Sequence, residues 1–324
     1  MNRLRQYIQQ QLSEHKLRDR SIVDVLSLLK GYGENTWIFY DTETTGLNAN
    51  VGQLTQIAAV AATPNGWQKT EILKTFDKKI KLSAASMRMV NDPKSKEALV
   101  WGAAEAGFFK NAQEILDWQR YAQTNREYFD EKEAIDDFMK WVGQFPNPLI
   151  VAQNAAFDMK WVNVRYKALS KQQNAWKGDN EVKDKNDNLV SASTRWPVLD
   201  TKQLTNNTLI PMLKSLEAEG DIDAAELLAK LKTKSGRYSA SMGVVAKSFD
   251  IDTSGHHDAL EDSEMMMDMY LNIYRTIETA SNVNVDITAA QADLAVDDKR
   301  NAARTRKNKK AKGKSIAAAL KNIG

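Results

Sequence analysis

Acidic residues and one histidine form three short groups that lie far apart along the chain. Asp41 and Glu43 occur in YDTETTGL, Asp158 in NAAFD, and His257 with Asp262 in HHDALED. Carboxylates that gather in one cleft repel one another unless hard divalent cations lie between them, and Mg²⁺ prefers oxygen ligands and retained waters. The pattern therefore predicts a site that holds Mg²⁺ against phosphate, with Mn²⁺ as a substitute.

The spacing within each group favours this chemistry. Asp41 and Glu43 are two residues apart, so on an extended strand both side chains point to the same side. Asp158 near the start of one helix and Asp262 on another would complete the ligands, so that two Mg²⁺ ions roughly 4 Å apart straddle a scissile phosphate. His257 lies five residues before Asp262, and an imidazole suits a general base at neutral pH.

Each acid also has a purely structural interpretation. Asp41 could cap a turn, Asp158 could cap a helix N-terminus, and Asp262 could be a solvated helix carboxylate. Three patterned groups in this order are poorly explained by three separate structural roles, so we favour one shared site. The spacing to Asp262 selects His257 as the base and leaves His256 as a neighbour that shapes the loop.

Strand and helix patterns alternate in the segments that must position these residues. An apolar run at 37–40 predicts a buried strand ending in Asp41, and 54–63 with 71–80 predict a meander around the Pro64-Asn65-Gly66 turn. Further strands are expected at 149–152 and 196–200, and helices at 154–166, 238–250 and 257–277. This alternation predicts an α/β fold.

Two stretches within the expected catalytic domain differ from a simple sheet connection. Residues 82–137 have a helical pattern rich in aromatic residues, which predicts core packing, with a base-stacking surface as the alternative. Residues 170–197 are polar and charged, which predicts a mobile surface loop.

Composition divides the chain into a helical N-terminal appendage at 1–34, a catalytic domain at 35–280, and an extension at 281–324. Residues 299–324 contain ten Lys or Arg and no acid; because the whole chain carries +3, the remainder carries −7. Such a basic tail is suited to nonspecific attraction of phosphate, although a solubilising or docking tail has the same composition.

The overall composition narrows the classes of function. With 324 residues and 42% apolar content the chain can bury a full core. The absence of cysteine excludes disulfides, thiolate metal sites and cysteine nucleophiles, and three histidines among many carboxylates suit magnesium better than zinc. The polar first twenty residues and the lack of about 18 consecutive apolar residues lead us to expect a soluble, cytoplasmic protein without a membrane partner.

Together the three groups resemble the DEDD superfamily of 3′-to-5′ exonucleases, in the proofreading-subunit-like branch with a histidine five positions before the last aspartate. The likeness covers roughly residues 36–277. The family motif DxExTGL matches residues 41–47, NxxFD matches 154–158, and HxAxxD matches 257–262. Residues 198–201 and 241–245 add lesser likenesses to a strand end and to the helix before the third motif.

This resemblance implies a ribonuclease H-like α/β fold, with a mixed central sheet flanked by helices, and release of nucleoside 5′-monophosphates from a 3′ end. It implies that His257 acts as base and that metal is held by Asp41, Glu43, Asp158 and Asp262. By the same likeness the terminal nucleotide is lined by Thr44, Gly46 and Leu47, with Phe157 packing near it.

Gln56 in LTQIAAV departs from many relatives, which have glutamate on the second strand; glutamine also resembles the exonuclease I type. The resemblance places this residue at the substrate 3′-hydroxyl. An amide donates as well as accepts hydrogen bonds and carries no charge, so this contact must differ from that of a glutamate.

The leading hypothesis is a Mg²⁺-dependent 3′-to-5′ exonuclease acting on single-stranded DNA, assisted by the basic tail. A 3′-to-5′ exoribonuclease is the second hypothesis, because only contacts to the sugar distinguish a 2′-hydroxyl. The third is an inactive nucleic-acid-binding or polymerase-associated module, against which the five intact site residues argue. No residue pattern identifies a polymerase partner.

Overall fold

The computed structural model describes residues 21–45, 48–50, 52–65, 69–83, 117, 128–170, 182–183, 189–191, 196–254 and 258–281. In chain order the strands are β1 (Thr36–Thr44), β2 (Leu54–Asn65), β3 (Lys69–Ile80), β4 (Tyr128–Phe129), β5 (Pro148–Ala152), β6 (Val182–Lys183), β7 (Leu189–Ser191) and β8 (Val198–Asp200). The helices are α1 (Ile22–Lys30), α2 (Glu131–Val142), α3 (Ala155–Ser170), α4 (Thr201–Leu204), α5 (Ile210–Ala218), α6 (Ile222–Lys230), α7 (Met242–Ser248) and α8 (Ala259–Ser281), with a π-helical segment at Thr205–Leu209.

Within these residues six strands form one mixed sheet in the order β4-β3-β2-β1-β5-β8. β1, β2 and β3 are an antiparallel meander. β5 pairs parallel with β1 and β8 parallel with β5, so the second half of the sheet is built from crossovers through helices. This topology confirms the prediction of an α/β fold with a mixed central sheet flanked by helices.

The central strand β1 divides the interior into two cores, because its side chains alternate between the faces of the sheet. Trp37 and Phe39 point to the core formed with α1 and α8, where the Trp37 ring lies 5.1 Å from that of Tyr270. Ile38 and Tyr40 point to the opposite core, formed with α2 and α3. The residues that follow on β1 continue this alternation into the candidate site.

A buried ion pair joins the helices of the second core to the sheet. Arg165 on α3 donates from Nε and Nη2 to the two carboxylate oxygens of Glu131 on α2, at 2.8 Å each. Glu131 Oε1 also accepts from the backbone N–H of Leu54 at 2.9 Å. One carboxylate therefore ties α2, α3 and the first residue of β2 together.

Several local predictions differ from the structure. Tyr128 and Phe129, expected to be helical, form β4, because they pair with Lys79 and Ile80 at the edge of the sheet. Residues 238–241 precede α7 instead of joining it, since Tyr238 forms a β-bridge with Lys232. In the stretch expected to be a surface loop, β6 and β7 pair as a two-stranded sheet.

The proposed N-terminal appendage is represented by α1, which packs against α8; Lys30 forms an ion pair with Glu278 at 3.2 Å. Most of the aromatic stretch, including Trp101, Phe108, Phe109, Trp118 and Tyr121, and all of the basic tail lie outside the described residues. Among the helices in the described ranges, none has the length and apolar character needed to cross a membrane.

Candidate active site

Three carboxylates meet where β1 passes the first turn of α8. Asp41 and Glu43 come from β1 and Asp262 from α8, and each offers an oxygen within 4.8 Å of the other two. Glu43 and Asp262 are buried, and Asp41 is partly exposed. The alternation of β1 explains the meeting, because Asp41 and Glu43 follow Trp37 and Phe39 on the face that α8 covers.

Asp158 approaches from the opposite face of the sheet, in the first turn of α3. Its Oδ1 accepts a hydrogen bond of 2.6 Å from the hydroxyl of Thr42, the β1 residue between Asp41 and Glu43. Asp158 is buried, and its charge raises the pKa of both Asp41 and Glu43. The fourth predicted acid therefore lies beside the group of three, on the other side of the strand.

The electrostatics of the site favour a bound cation. Burial, followed by the charges of Asp262 and Asp158, raises the pKa of Glu43 to about 9. Burial also raises the pKa of Asp158 to about 7, although the Thr42 hydrogen bond opposes this shift. Burial and then Asp158 and Glu43 raise the pKa of Asp41 well above its ordinary value. A cluster of oxygen donors that disfavours its own ionisation fits a hard divalent cation, whose charge removes the repulsion.

Asp200, at the end of β8, holds the helix that carries Asp158. Its carboxylate accepts from the backbone N–H groups of Asn154 at 3.1 Å and Ala155 at 3.0 Å, just before and at the start of α3. It also caps α4 by accepting from Lys202 N at 2.9 Å and Gln203 N at 3.2 Å. Asn154 has a φ of 66°, a left-handed conformation that asparagine tolerates better than most residues. The first turn of α3 is thus pinned to the neighbouring strand.

Gln56 lies opposite Glu43 in the register between β1 and β2, and it is fully buried. Its amide nitrogen donates to Asp77 Oδ1 at 2.9 Å and to Asp258 Oδ1 at 3.2 Å. Its amide oxygen accepts from the backbone N–H of Ala259, the first residue of α8, at 3.2 Å. Both amide hydrogens of Gln56 are therefore directed at protein carboxylates.

Of the remaining predicted site residues, the structure describes Thr44 and Phe157. Thr44 is buried at the end of β1, and the partly buried Phe157 packs with its ring 6.2 Å from that of Trp161. Gly46, Leu47 and His257, with its neighbour His256, lie outside the described residues.

Sequence reasoning missed two residues of the site, Thr42 and Asp258. The signal for Thr42 was strand alternation, since a residue between two acids must face the opposite side of the sheet. The signal for Asp258 was its position one residue before α8, where aspartate commonly caps a helix, and Leu260 N does donate to its side chain at 3.0 Å.

The chain is similar at low identity to one protein of known sequence and to several solved structures. No protein-family model matches the chain. The chain is 24% identical over 231 residues to the PolC-type DNA polymerase III of Bacillus subtilis (strain 168), a match that covers 71% of this chain and 11% of the polymerase.

Among solved structures, E. coli exonuclease I in complex with a dT13 oligonucleotide is similar, with 14% identity, a TM-score of 0.47, and coverage of 77% of this chain and 43% of that chain. A zinc-bound form of the E. coli exonuclease I complex with single-stranded DNA has a TM-score of 0.43 at 14% identity, over 77% of this chain and 42% of that chain. The chain thus spans less than half of exonuclease I and about a tenth of the polymerase.

Proposed function

We propose that this protein is a metal-dependent 3′-to-5′ exonuclease that hydrolyses phosphodiester bonds of single-stranded DNA and releases nucleoside 5′-monophosphates. The observation that carries the proposal is the convergence of Asp41, Glu43 and Asp262 within 4.8 Å, with the buried Asp158 beside them. Such a group is costly to fold without a cation, and it is better explained as a binding site than as a structural feature.

Asp41, Glu43, Asp158 and Asp262 would hold two Mg²⁺ ions, and the donor set fits because it consists entirely of carboxylate oxygens. Bound there, the ions would supply charge neutralisation and Lewis acidity at the scissile phosphate. The same donors accept Mn²⁺, which shares the preference for oxygen ligands.

Other side chains have separate roles in the proposed reaction. Thr42 keeps Asp158 oriented and favours its ionised form through the 2.6 Å hydrogen bond. His257 takes the proton of the attacking water, a role supported by its spacing from Asp262 and by the ordinary pKa of imidazole. Thr44 and Phe157, together with Gly46 and Leu47, line the position of the terminal nucleotide.

The choice of DNA as substrate is supported by two features outside the metal site. Residues 299–324 carry ten Lys or Arg and no acid, which suits attraction to a phosphate backbone. The relative found by sequence is a DNA polymerase. We assign the chain the same class of substrate, and because its identity to that polymerase is low, the test must also distinguish RNA.

The test follows 5′-labelled single-stranded DNA and RNA oligonucleotides of one sequence on a sequencing gel, with Mg²⁺ and with chelator. We expect a Mg²⁺-dependent ladder that shortens the DNA from its 3′ end. Asp41→Asn should slow the reaction by at least ~10³-fold, because it removes a ligand charge from the site. Asp250→Asn is the matched control, since Asp250 is an exposed acid paired with Lys230.

Three results would count against the proposal. Faster shortening of RNA than of DNA would move the assignment to an exoribonuclease. Binding of both strands without shortening of either would favour a module that binds but does not cleave. Equal reaction rates for Asp41→Asn and the unaltered protein would refute the assignment of the active site.

A further inference from the structure

Gln56 connects three elements around the candidate metal site, although it belongs to none of the acidic motifs. From β2 it reaches Asp77 on β3 and both Asp258 and Ala259 at the start of α8. Its own exposure is 0%, whereas the carboxylates of Asp77 and Asp258 that accept its hydrogen bonds reach the surface. A buried side chain with three such contacts is rigid, and it transmits the position of the sheet to the start of the helix.

Through Asp258, Gln56 is connected to Asp262, one of the proposed metal ligands. Asp258 is one helical turn before Asp262, and the backbone N–H of Asp262 donates to the carbonyl of Asp258 at 2.8 Å. On the other side, Gln56 is the register partner of Glu43. A single amide therefore stands between the strand that carries Glu43 and the turn that carries Asp262.

We propose that Gln56 is a positioning residue, which holds the start of α8 against the sheet and thereby sets Asp262 opposite Asp41 and Glu43. The inference rests on the proposed function, because it assigns Gln56 a task in the same site. It replaces the role suggested by resemblance, a contact to the 3′-hydroxyl of the substrate, because both amide hydrogens already bond protein carboxylates.

The geometry also explains why an amide occupies this position. Asp77 and Asp258 both present acceptor oxygens to the same nitrogen, and Lys79 lies 3.6 Å from the second oxygen of Asp258. An ionised glutamate has no hydrogen to donate and would add a third negative charge between the two aspartates. The glutamine is thus matched to its two acidic neighbours.

Asp258 is not the only link between α8 and β2, since Ser263 Oγ donates to the carbonyl of Ala58 at 3.3 Å. Loss of Gln56 should therefore loosen the first turn of α8 without detaching the helix. The expected defect is a misplaced ligand in a folded protein.

The test measures Mn²⁺ binding by thermal shift and, separately, kcat and KM on single-stranded DNA. Gln56→Met keeps the length of the side chain and its neutrality but removes every hydrogen bond. We expect ten- to hundredfold weaker Mn²⁺ binding, the range seen when residues that orient metal ligands are removed. We expect kcat to fall by a similar factor and KM to change less than threefold.

A double-mutant cycle tests whether Gln56 acts through Asp258. Asp258→Ser keeps a helix-capping oxygen but removes the carboxylate that accepts a hydrogen bond from Gln56. If the two residues act as a pair, the double variant should bind Mn²⁺ no more weakly than the worse single variant. If the losses of Mn²⁺ affinity in the two single variants multiply in the double variant, Gln56 does not act through Asp258 and the proposal is overturned.

Gln53→Met is the matched control, because Gln53 is equally buried but bonds the backbone at Lys81 and Ser83 after β3. It should lower thermal stability while leaving Mn²⁺ affinity within threefold. Unchanged Mn²⁺ affinity in Gln56→Met, or a rise in KM alone, would overturn the positioning role. Because Mn²⁺ binding is measured without substrate, an inactive protein would refute the proposed exonuclease and still test the role of Gln56.

Discussion

Replacing Thr42 by valine should weaken metal binding through Asp158. The two side chains have nearly the same shape, but valine cannot donate the 2.6 Å hydrogen bond to the buried carboxylate. A hydrogen bond to a charged group contributes about 1.5–3 kcal/mol. At about 1.4 kcal/mol for each factor of ten, its removal corresponds to roughly 10- to 150-fold in affinity.

The pKa of Asp158 determines how the metal-binding defect of Thr42→Val should depend on pH. Burial raises the pKa of Asp158 to about 7, and the Thr42 hydroxyl lowers it against that trend. Without the hydroxyl the pKa rises further, so a larger share of Asp158 is protonated near neutral pH. Because a metal ligand must be ionised, the defect should be largest at low pH and should diminish as the pH rises above the new pKa.

Calorimetric titration of Mg²⁺ at pH values of about 6.5 and 8.5 measures both effects. Thr42→Ser is the matched control, since it keeps the hydroxyl and should bind Mg²⁺ within a few-fold of the unaltered protein. Normal Mg²⁺ binding by Thr42→Val at the lower pH would refute the role of the hydroxyl. A serine variant as weak as the valine variant would show that the methyl group, and not the hydroxyl, matters.

Three further predictions concern charge. Glu43 has a pKa of about 9 in the folded protein, whereas the unfolded chain releases this proton near the ordinary value of a glutamate. In chelator, without metal, the melting temperature should therefore fall as the pH rises between these two values. A melting temperature that stays constant or rises with pH would contradict this prediction. Arg165→Met leaves Glu131 buried and uncompensated and should lower the free energy of unfolding in urea by about 3–5 kcal/mol, with partial recovery when Glu131→Gln is added. Deleting residues 299–324 should make the affinity for single-stranded DNA less dependent on salt. The slope of log affinity against log salt should decrease by roughly 0.7 for each phosphate that the tail neutralises, while the rate at saturating DNA stays the same. An unchanged slope would show that the tail does not bind the strand.

Local sequence patterns were enough to predict the parts of the protein that depend on residues close together in the chain. Two acids at alternate positions of an apolar strand had to share one face, and the structure brings Asp41 and Glu43 together on the side of α8. The central meander and the helices that carry Asp158 and Asp262 followed from hydrophobic periodicity and turn residues in the same way. These features depend on neighbours a few residues apart, which a sequence displays directly.

The distant side chains that orient the acids could be identified only from the folded protein. Thr42 and its acceptor Asp158 are 116 residues apart, and Gln56 and Asp258 are 202 residues apart. Tyr128 and Phe129 likewise became a strand because the edge of β3 was available for pairing. Local periodicity carries no information about such contacts, because hydrogen-bond partners across a sheet are set by the packing of whole elements.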